Sequence, residues 1–216
     1  METMRTLIIA PHLDDETISC AGLIQARRRE GIDVLVLVVF TRAYFHGQKD
    51  GWQQEYPDFL KAKKLLDFVE VSAGRPSTEG EPGKVGYYDL LRKIEWALKN
   101  FEPDEVIIPA GDDLNQDHRH LNHVCGIALR PINLGKIDRV LEFFALDGIV
   151  RQPSFYLPMT QEVMDKKIEA MACYTTESRT EGPRSPVNLI AQARVWGSQC
   201  GAEYAEAYHV KYLKEA

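Results

Sequence analysis

Two short stretches of this chain crowd together side chains that bind cations and move protons. The first, Pro11-His12-Leu13-Asp14-Asp15-Glu16, directly follows the apolar run Arg5–Ala10. The second, Asp112-Asp113-Leu114-Asn115-Gln116-Asp117-His118, comes shortly after another such run, Glu105–Pro109. Aspartate suits a helix N-terminus, where its carboxylate accepts orphan backbone N–H groups and meets the positive end of the dipole. Capping by Asp14 or Asp15 accounts for one acid of the first stretch. It leaves His12, the other Asp and Glu16 without a reason to share one tight loop. Like charges there repel, so a cation is their natural partner. In the second stretch Asp117 could cap a helix that starts at His118, with Asn115 in the turn before it. His120 and His123 lie three apart on one helix face, but ligand pairs on a helix more often come four apart, as in His-Glu-x-x-His. His118, nearest the strand end, is the better ligand.

His12, Asp15 and His118 give two nitrogens and one oxygen from two loops. Three such ligands are the count of a catalytic zinc site, which keeps a further position for water or substrate. Structural zinc sites are closed and favour Cys, and neither loop contains one.

For the two loops to meet, the elements before them must be neighbouring parallel strands. The pattern supports this. Arg5–Ala10 reads as a strand, Glu16–Glu30 as a helix stopped by Gly31, and Asp33–Phe40 (DVLVLVVF) as a strand apolar on both faces. Strand, helix, strand within 40 residues is a βαβ unit. Beyond it, helices are predicted at Gln54–Leu66, Tyr88–Asn100, His118–Leu129, Gln161–Tyr174 and Pro186–Gly201. Strands are predicted at Val69–Ser72, Glu105–Pro109 and Arg139–Leu146. Arg75–Gly86 and Thr175–Ser185 read as polar loops. Alternating β and α elements imply a doubly wound α/β sheet, whose ligands gather outside the carboxyl ends of the strands. No stretch has the composition of an interdomain linker, so residues 1–216 are expected to form one domain.

Composition narrows the partners. The net charge is −6, with 32 acidic against 26 basic residues, which lacks the cationic surplus of a sequence-independent nucleic-acid binder. The longest apolar run, Val34–Phe40, is far below the roughly 20 residues of a membrane span. No secretory signal is expected either, because the apolar stretch after Arg5 ends at Pro11. Cys20, Cys125, Cys173 and Cys200 are widely separated, with no Cys-x-x-Cys pair, and are expected to act as small apolar side chains in a reducing, cytoplasmic setting. No Gly-x-Gly-x-x-Gly follows the first strand, so a dinucleotide-binding domain has no support.

Ala10-Pro11-His12-Leu13-Asp14-Asp15-Glu16 resembles the signature of the PIG-L/LmbE-like de-N-acetylases, normally Ala-His-Pro-Asp-Asp-Glu. The His here follows the Pro, but the His-x-Asp-Asp-Glu spacing is kept. Cys20-Ala21-Gly22-Leu23-Ile24 is similar to the family's small-residue stretch, and Asn115-Gln116-Asp117-His118-Arg119 to its second motif, His-Pro-Asp-His-Arg. Lys167, Ala170, Tyr174, Arg184-Ser185-Pro186, Gly197, Gly201 and Tyr204-Ala205-Glu206-Ala207-Tyr208 resemble its closing region. The resemblance spans the whole chain.

It implies a Rossmann-like three-layer sandwich with a mostly parallel sheet. It also implies one zinc ion per chain and removal of an N-acyl group, mostly acetyl, from an amino sugar or glycoside-like small molecule. His12, Asp15 and His118 would hold the metal, Asp14 would be the general base, and Asp117 would orient a ligand. Zinc of this kind lowers the pKa of water from about 15.7 to about 7 and polarises the amide carbonyl. Asp14 would take the water's proton and hand it to the leaving amine.

Two departures matter. Asn115 stands where the family has a His that stabilises the oxyanion or protonates the amine. An amide can donate a hydrogen bond but is no acid at neutral pH. The family's substrate Arg, early in the second helix, is also missing from Trp52-Gln53-Gln54-Glu55-Tyr56, and Arg42 is the substitute the sequence offers. Both changes point to a substrate outside the best-known members. The rival readings are a metal-dependent amidase of a modified peptide or thiol conjugate, and a metal-containing binding protein made inert by Asn115. Tyr44, Phe45, Trp52 and Tyr56 would either wall a sugar subsite or pack onto the core. The expected partner is a small N-acylated molecule. A homo-oligomer is compatible with the sequence, which does not set the oligomeric state.

Overall fold

A computed structural model describes residues 4–40, 51–71, 86–145, 152–175 and 182–214. Seven strands form one sheet in the order β3-β2-β1-β4-β5-β7-β6. They are β1 (Arg5–Ala10), β2 (Asp33–Val38), β3 (Val69–Glu70), β4 (Glu105–Pro109), β5 (Arg139–Phe143), β6 (Phe155–Met159) and β7 (Tyr204–Leu213). The first five in space run parallel; β7 is antiparallel to both β5 and β6. The helices are α1 (Asp15–Arg29), α2 (Gly51–Leu66), α3 (Tyr87–Phe101), α4 (Gln116–Ala128), the short α5 (Pro131–Leu134), α6 (Gln161–Ala172) and α7 (Pro186–Cys200).

The central strands are apolar on both faces because both faces are covered. Ile8 and Ala10 of β1 pack with side chains of α1, α2, α6 and α7. Leu7 and Ile9 turn the other way, onto α3 and α4. The result is the expected three-layer α/β sandwich. All the helices and strands predicted from sequence are present, with ends moved by a few residues. Two strands were not predicted. β6 contains Pro158, which is tolerated at an edge. β7 buries Glu206 at 1% exposure, where a polar residue reads as outward-facing.

Glu206 matters to the site because it anchors α1. Its carboxylate accepts the N–H groups of Gly22 and Leu23 at 2.8 Å each, the Lys167 ammonium at 2.6 Å and the Tyr208 hydroxyl at 2.8 Å. A buried charge needs such saturation. Gly22 makes room for it: a Cβ there would stand 2.3 Å from Met159 Sδ and 2.9 Å from the Glu206 carboxylate. α1 is thereby locked to β7, and with it the loop at its N-terminus.

The crossing pattern places that loop. β1 pairs with β2 on one side and with β4 on the other. The chain therefore reverses direction across the sheet between β1 and β4, and a crevice opens beyond their carboxyl ends. The loops after β1 and β4 both border it.

Candidate metal centre

His12, Asp15 and His118 meet in that crevice. One ligand atom from each lies within 4.8 Å of the others, and all three side chains are buried. Asp15 Oδ2 stands 3.3 Å from His12 Nδ1 and 3.3 Å from His118 Nε2, and also accepts the His12 backbone N–H at 3.0 Å. Each imidazole turns its second nitrogen to another carboxylate: His12 Nε2 to Asp117 Oδ2 at 3.0 Å, and His118 Nδ1 to Asp113 Oδ2 at 2.9 Å. Carboxylate, imidazole and a shared point beyond is the arrangement that fixes histidine ligands around a cation. Two imidazoles and one carboxylate suit zinc and its neighbours in the first transition row better than magnesium or calcium. The residues fit a divalent metal.

The electrostatics lead to the same conclusion. Burial, the largest single influence, works against charge on His12, but its hydrogen bonds to Asp117 and Asp15 outweigh it and raise its pKa. His118 is raised to about 10: burial is overcome by the charge of Asp15 and the bond to Asp113. Burial also opposes ionisation of Asp15, yet the two imidazoles hold it well below the ordinary carboxylate range. Without metal, the neighbouring carboxylates favour the protonated forms of both rings.

This has a consequence for metal-free protein. Groups whose pKa rises on folding stabilise the fold fully below their unfolded value, about 6.5 for histidine. That contribution is lost as pH climbs through the folded values, here up to about 10 for His118. Asp15, Asp113 and Asp117 are shifted down, so their contribution is lost only as pH falls below about 3.8. Melting of chelator-treated protein is therefore expected to drop from pH 6.5 to pH 9.5, by at least about 2–4 °C, the shift that each kcal/mol gives a domain of this size. The stabilisation by added zinc should grow over the same range, because the metal competes with those protons. A metal-free melting point flat across this window would contradict the charge assignment.

Asp14 is the N-cap residue of α1, yet its side chain makes no capping bond. Its carboxylate is fully buried and takes Arg184 Nη1 at 2.9 Å instead. Its backbone stands at φ 126°, ψ −27°, a conformation that costs a non-glycine residue about 1–3 kcal/mol and clusters at active sites. Glu16 braces it: Oε2 accepts the Asp14 N–H at 3.1 Å, while Oε1 accepts the hydroxyls of Thr17 and Tyr174. Strain and bracing together turn Asp14 and Asp15, neighbours in sequence, to different partners.

Asn115, not Asp117, caps α4, which begins at Gln116. Its Oδ1 accepts the Asp117 N–H at 2.9 Å. Asp117 is thereby free of capping and turns to His12. Asp113 had no role assigned from sequence. The clue was available: Asp112 and Asp113 crowd after β4 as Asp14 and Asp15 do after β1. Asp113 also accepts the Asn115 N–H through Oδ1 at 2.8 Å, so it ties the loop to the His118 ring. Asp113→Asn is expected to weaken metal binding about 10–100-fold, the usual cost of losing a carboxylate behind a histidine ligand. Titration of the metal-free variant with zinc checks this; unchanged affinity would make Asp113 a loop residue only.

His120 and His123 stay outside the cluster. The His120 ring faces Phe40 at 6.3 Å, and His123 faces Tyr87. Tyr56 stacks on Phe59 and donates its hydroxyl to Glu70, so it packs the core. Arg42, Tyr44 and Phe45 lie outside the described residues, as does the side chain of Trp52. Among the described cysteines none is disulfide-bonded; Cys20 and Cys125 are buried, Cys173 and Cys200 partly so. No helix among the described residues is long and apolar enough to cross a membrane.

Residues 7–128, more than half the sequence, match the family described as GlcNAc-PI de-N-acetylase, PIG-L. The chain belongs to this family. No curated protein matches it. Among solved structures, it is similar to the conserved protein TT1542 from Thermus thermophilus, with 22% identity over 99% of this chain and 97% of that one, TM-score 0.79. It is similar also to N,N'-diacetylchitobiose deacetylase from Pyrococcus horikoshii, with 15% identity, 97% and 84% coverage and TM-score 0.73. GalB, the 4-carboxy-2-hydroxymuconate hydratase from Pseudomonas putida, matches at 15% identity over 99% and 98%, TM-score 0.75. At such identities these likenesses establish the PIG-L fold. A deacetylase and a hydratase both use it, so the reaction must be argued from the side chains.

Proposed function

We propose that this PIG-L protein is a zinc-dependent hydrolase that removes an N-acyl group, most simply acetyl, from an amino sugar or similar small molecule. The observation that carries the reading is the buried His12–Asp15–His118 cluster with a second, separately held carboxylate, Asp14, on the residue next to a ligand. A cation-binding module needs the first and has no use for the second.

His12, Asp15 and His118 would hold the metal, with Asp117 and Asp113 fixing the two rings. When bound, such an ion supplies Lewis acidity, which polarises a carbonyl and acidifies water. Asp14 accepts a proton from the attacking water as its oxygen bonds to the acyl carbon. The same carboxyl group returns the proton to the nitrogen as the C–N bond breaks, giving a carboxylic acid and a free amine. Asn115 takes no proton in this scheme. Its Oδ1 is engaged as the helix cap, so the amide end left for substrate is a donor, which suits an oxygen gaining negative charge. A site without a titrating His at 115 therefore asks both proton transfers of Asp14.

The test is release of free amine. Purified, zinc-loaded protein is incubated with N-acetylated amino sugars, their glycosides, and N-acyl peptides and thiol conjugates. Amine release from the first two groups is expected. Release only from the non-sugar conjugates would move the substrate class, and none from any would refute the hydrolase.

A further inference from the structure

The backbone of Asp14 is fixed locally, but its carboxylate is held from the far end of the chain. Glu16 takes the Asp14 N–H, and the N–H groups of Thr17 and Ile18 donate to the Asp14 carbonyl. None of these bonds sets the side-chain rotamer. Arg184, 170 residues away, reaches Asp14 Oδ2 at 2.9 Å. Arg184 stands in a turn that is itself tied down. Ser185 caps α7 through the Asn188 N–H, and both the Ser185 N–H and the Asn188 side-chain amide donate to the Gly182 carbonyl. The Arg184 side chain is 19% exposed and the Asp14 side chain 0%, so the pair joins a fully buried carboxylate to a side chain that still reaches solvent. Among the described residues Arg119 also lies near the centre, and it spends Nη1 on the carbonyls of Asp113 and Leu114.

We propose that Arg184 is a positioning residue that holds the Asp14 carboxylate in its working orientation from the loop before α7. The inference rests on Asp14 being the base of the proposed hydrolysis. A carboxylate that must take a proton from water and return it to nitrogen needs one orientation through both transfers. Guanidinium suits the task, being planar and charged at every working pH. The latch couples the β1–α1 loop to the α7 region, so the base is complete only when both parts of the fold are docked.

A double-mutant cycle tests this, using zinc-loaded wild type, Arg184→Gln, Asp14→Asn and the double variant, with kcat and KM read separately and metal content checked in each. Arg184→Gln is expected to lower kcat about 10–100-fold with KM little changed, since misplacing a reacting group by about 1 Å costs up to about 10²-fold. In the Asp14→Asn background the same change should cost nothing further. A raised KM with kcat retained would overturn the proposal and make Arg184 a substrate-binding residue. Losses that multiply independently would also overturn it. If Arg184→Gln does not fold, Arg184→Lys carries the same cycle. Its point-charge ammonium, without the planar fork and the full reach of guanidinium, should lower kcat only where Asp14 is present, and a wild-type kcat in that variant overturns the proposal. A wild type that releases no amine defeats the hydrolase reading itself, before any variant is compared.

Discussion

Asp15→Asn is expected to abolish metal loading at stoichiometric zinc, weakening affinity by more than about 100-fold, the upper end of what outer carboxylates contribute. Asp15 is the shared point of the centre, with Oδ2 3.3 Å from a nitrogen of each imidazole. Asn keeps the shape and the acceptor but loses the charge that draws in a divalent cation. The metal-free variant should change as well. The two rings would no longer face a carboxylate between them, so the force raising their pKa is reduced to Asp113 and Asp117. Removing one member of a buried charge cluster destabilises by about 3–5 kcal/mol when the remainder stays charged. Here the remainder can shed a proton, so the loss should be smaller, and the fall in melting point from pH 6.5 to 9.5 should flatten. Zinc titration by calorimetry and melting of the metal-free variant check the two halves separately. Full metal occupancy in Asp15→Asn would remove Asp15 from the ligand set.

The centre was legible in sequence to the extent that it follows from strand ends. His12 and Asp15 come within five residues of β1, and His118 follows β4, so two parallel neighbours suffice to bring them together. The parallel core announced itself through strands apolar on both faces. What was hidden depends on contacts between distant elements. Arg184 was visible only within a stretch that resembles the family's closing region, with no role attached, and its contact with Asp14 exists only because the loop before α7 reaches the start of α1. Asp113 was visible as a crowded acid, but which acid would turn to which ring depends on the cap. Asn115 takes that duty and leaves Asp117 to His12. β7 escaped because its alternation of Tyr and Ala is broken by Glu206, a charge that the fold buries against α1 and neutralises with Lys167. Where a chain hides a charge inside, the in–out pattern that reveals strands is broken by the same residue that locks the elements together.

Asp14→Asn is expected to lower kcat by about 10²–10⁴-fold, the range for losing a general base, while zinc content stays at one per chain. The second half of this result is the more discriminating. Asp14 and Asp15 are adjacent, identical in chemistry and both buried, and sequence alone lets either serve as ligand. Geometry separates them. Asp15 turns to the two imidazoles, whereas Asp14, bent by its positive φ, turns to Arg184. An amide at position 14 keeps the size and can still accept a hydrogen bond from the guanidinium, so the fold and the metal should survive. It cannot take a proton from water or return one to nitrogen. With Asn115 in place of a titrating side chain, and with Asp117 and Asp113 turned to the His12 and His118 rings, the loss should lie toward the upper part of the range. Turnover of the best N-acetylated substrate at saturation, with metal content measured on the same sample, decides the matter. Loss of zinc in Asp14→Asn would make Asp14 a ligand, and turnover near wild type would move the base to another residue.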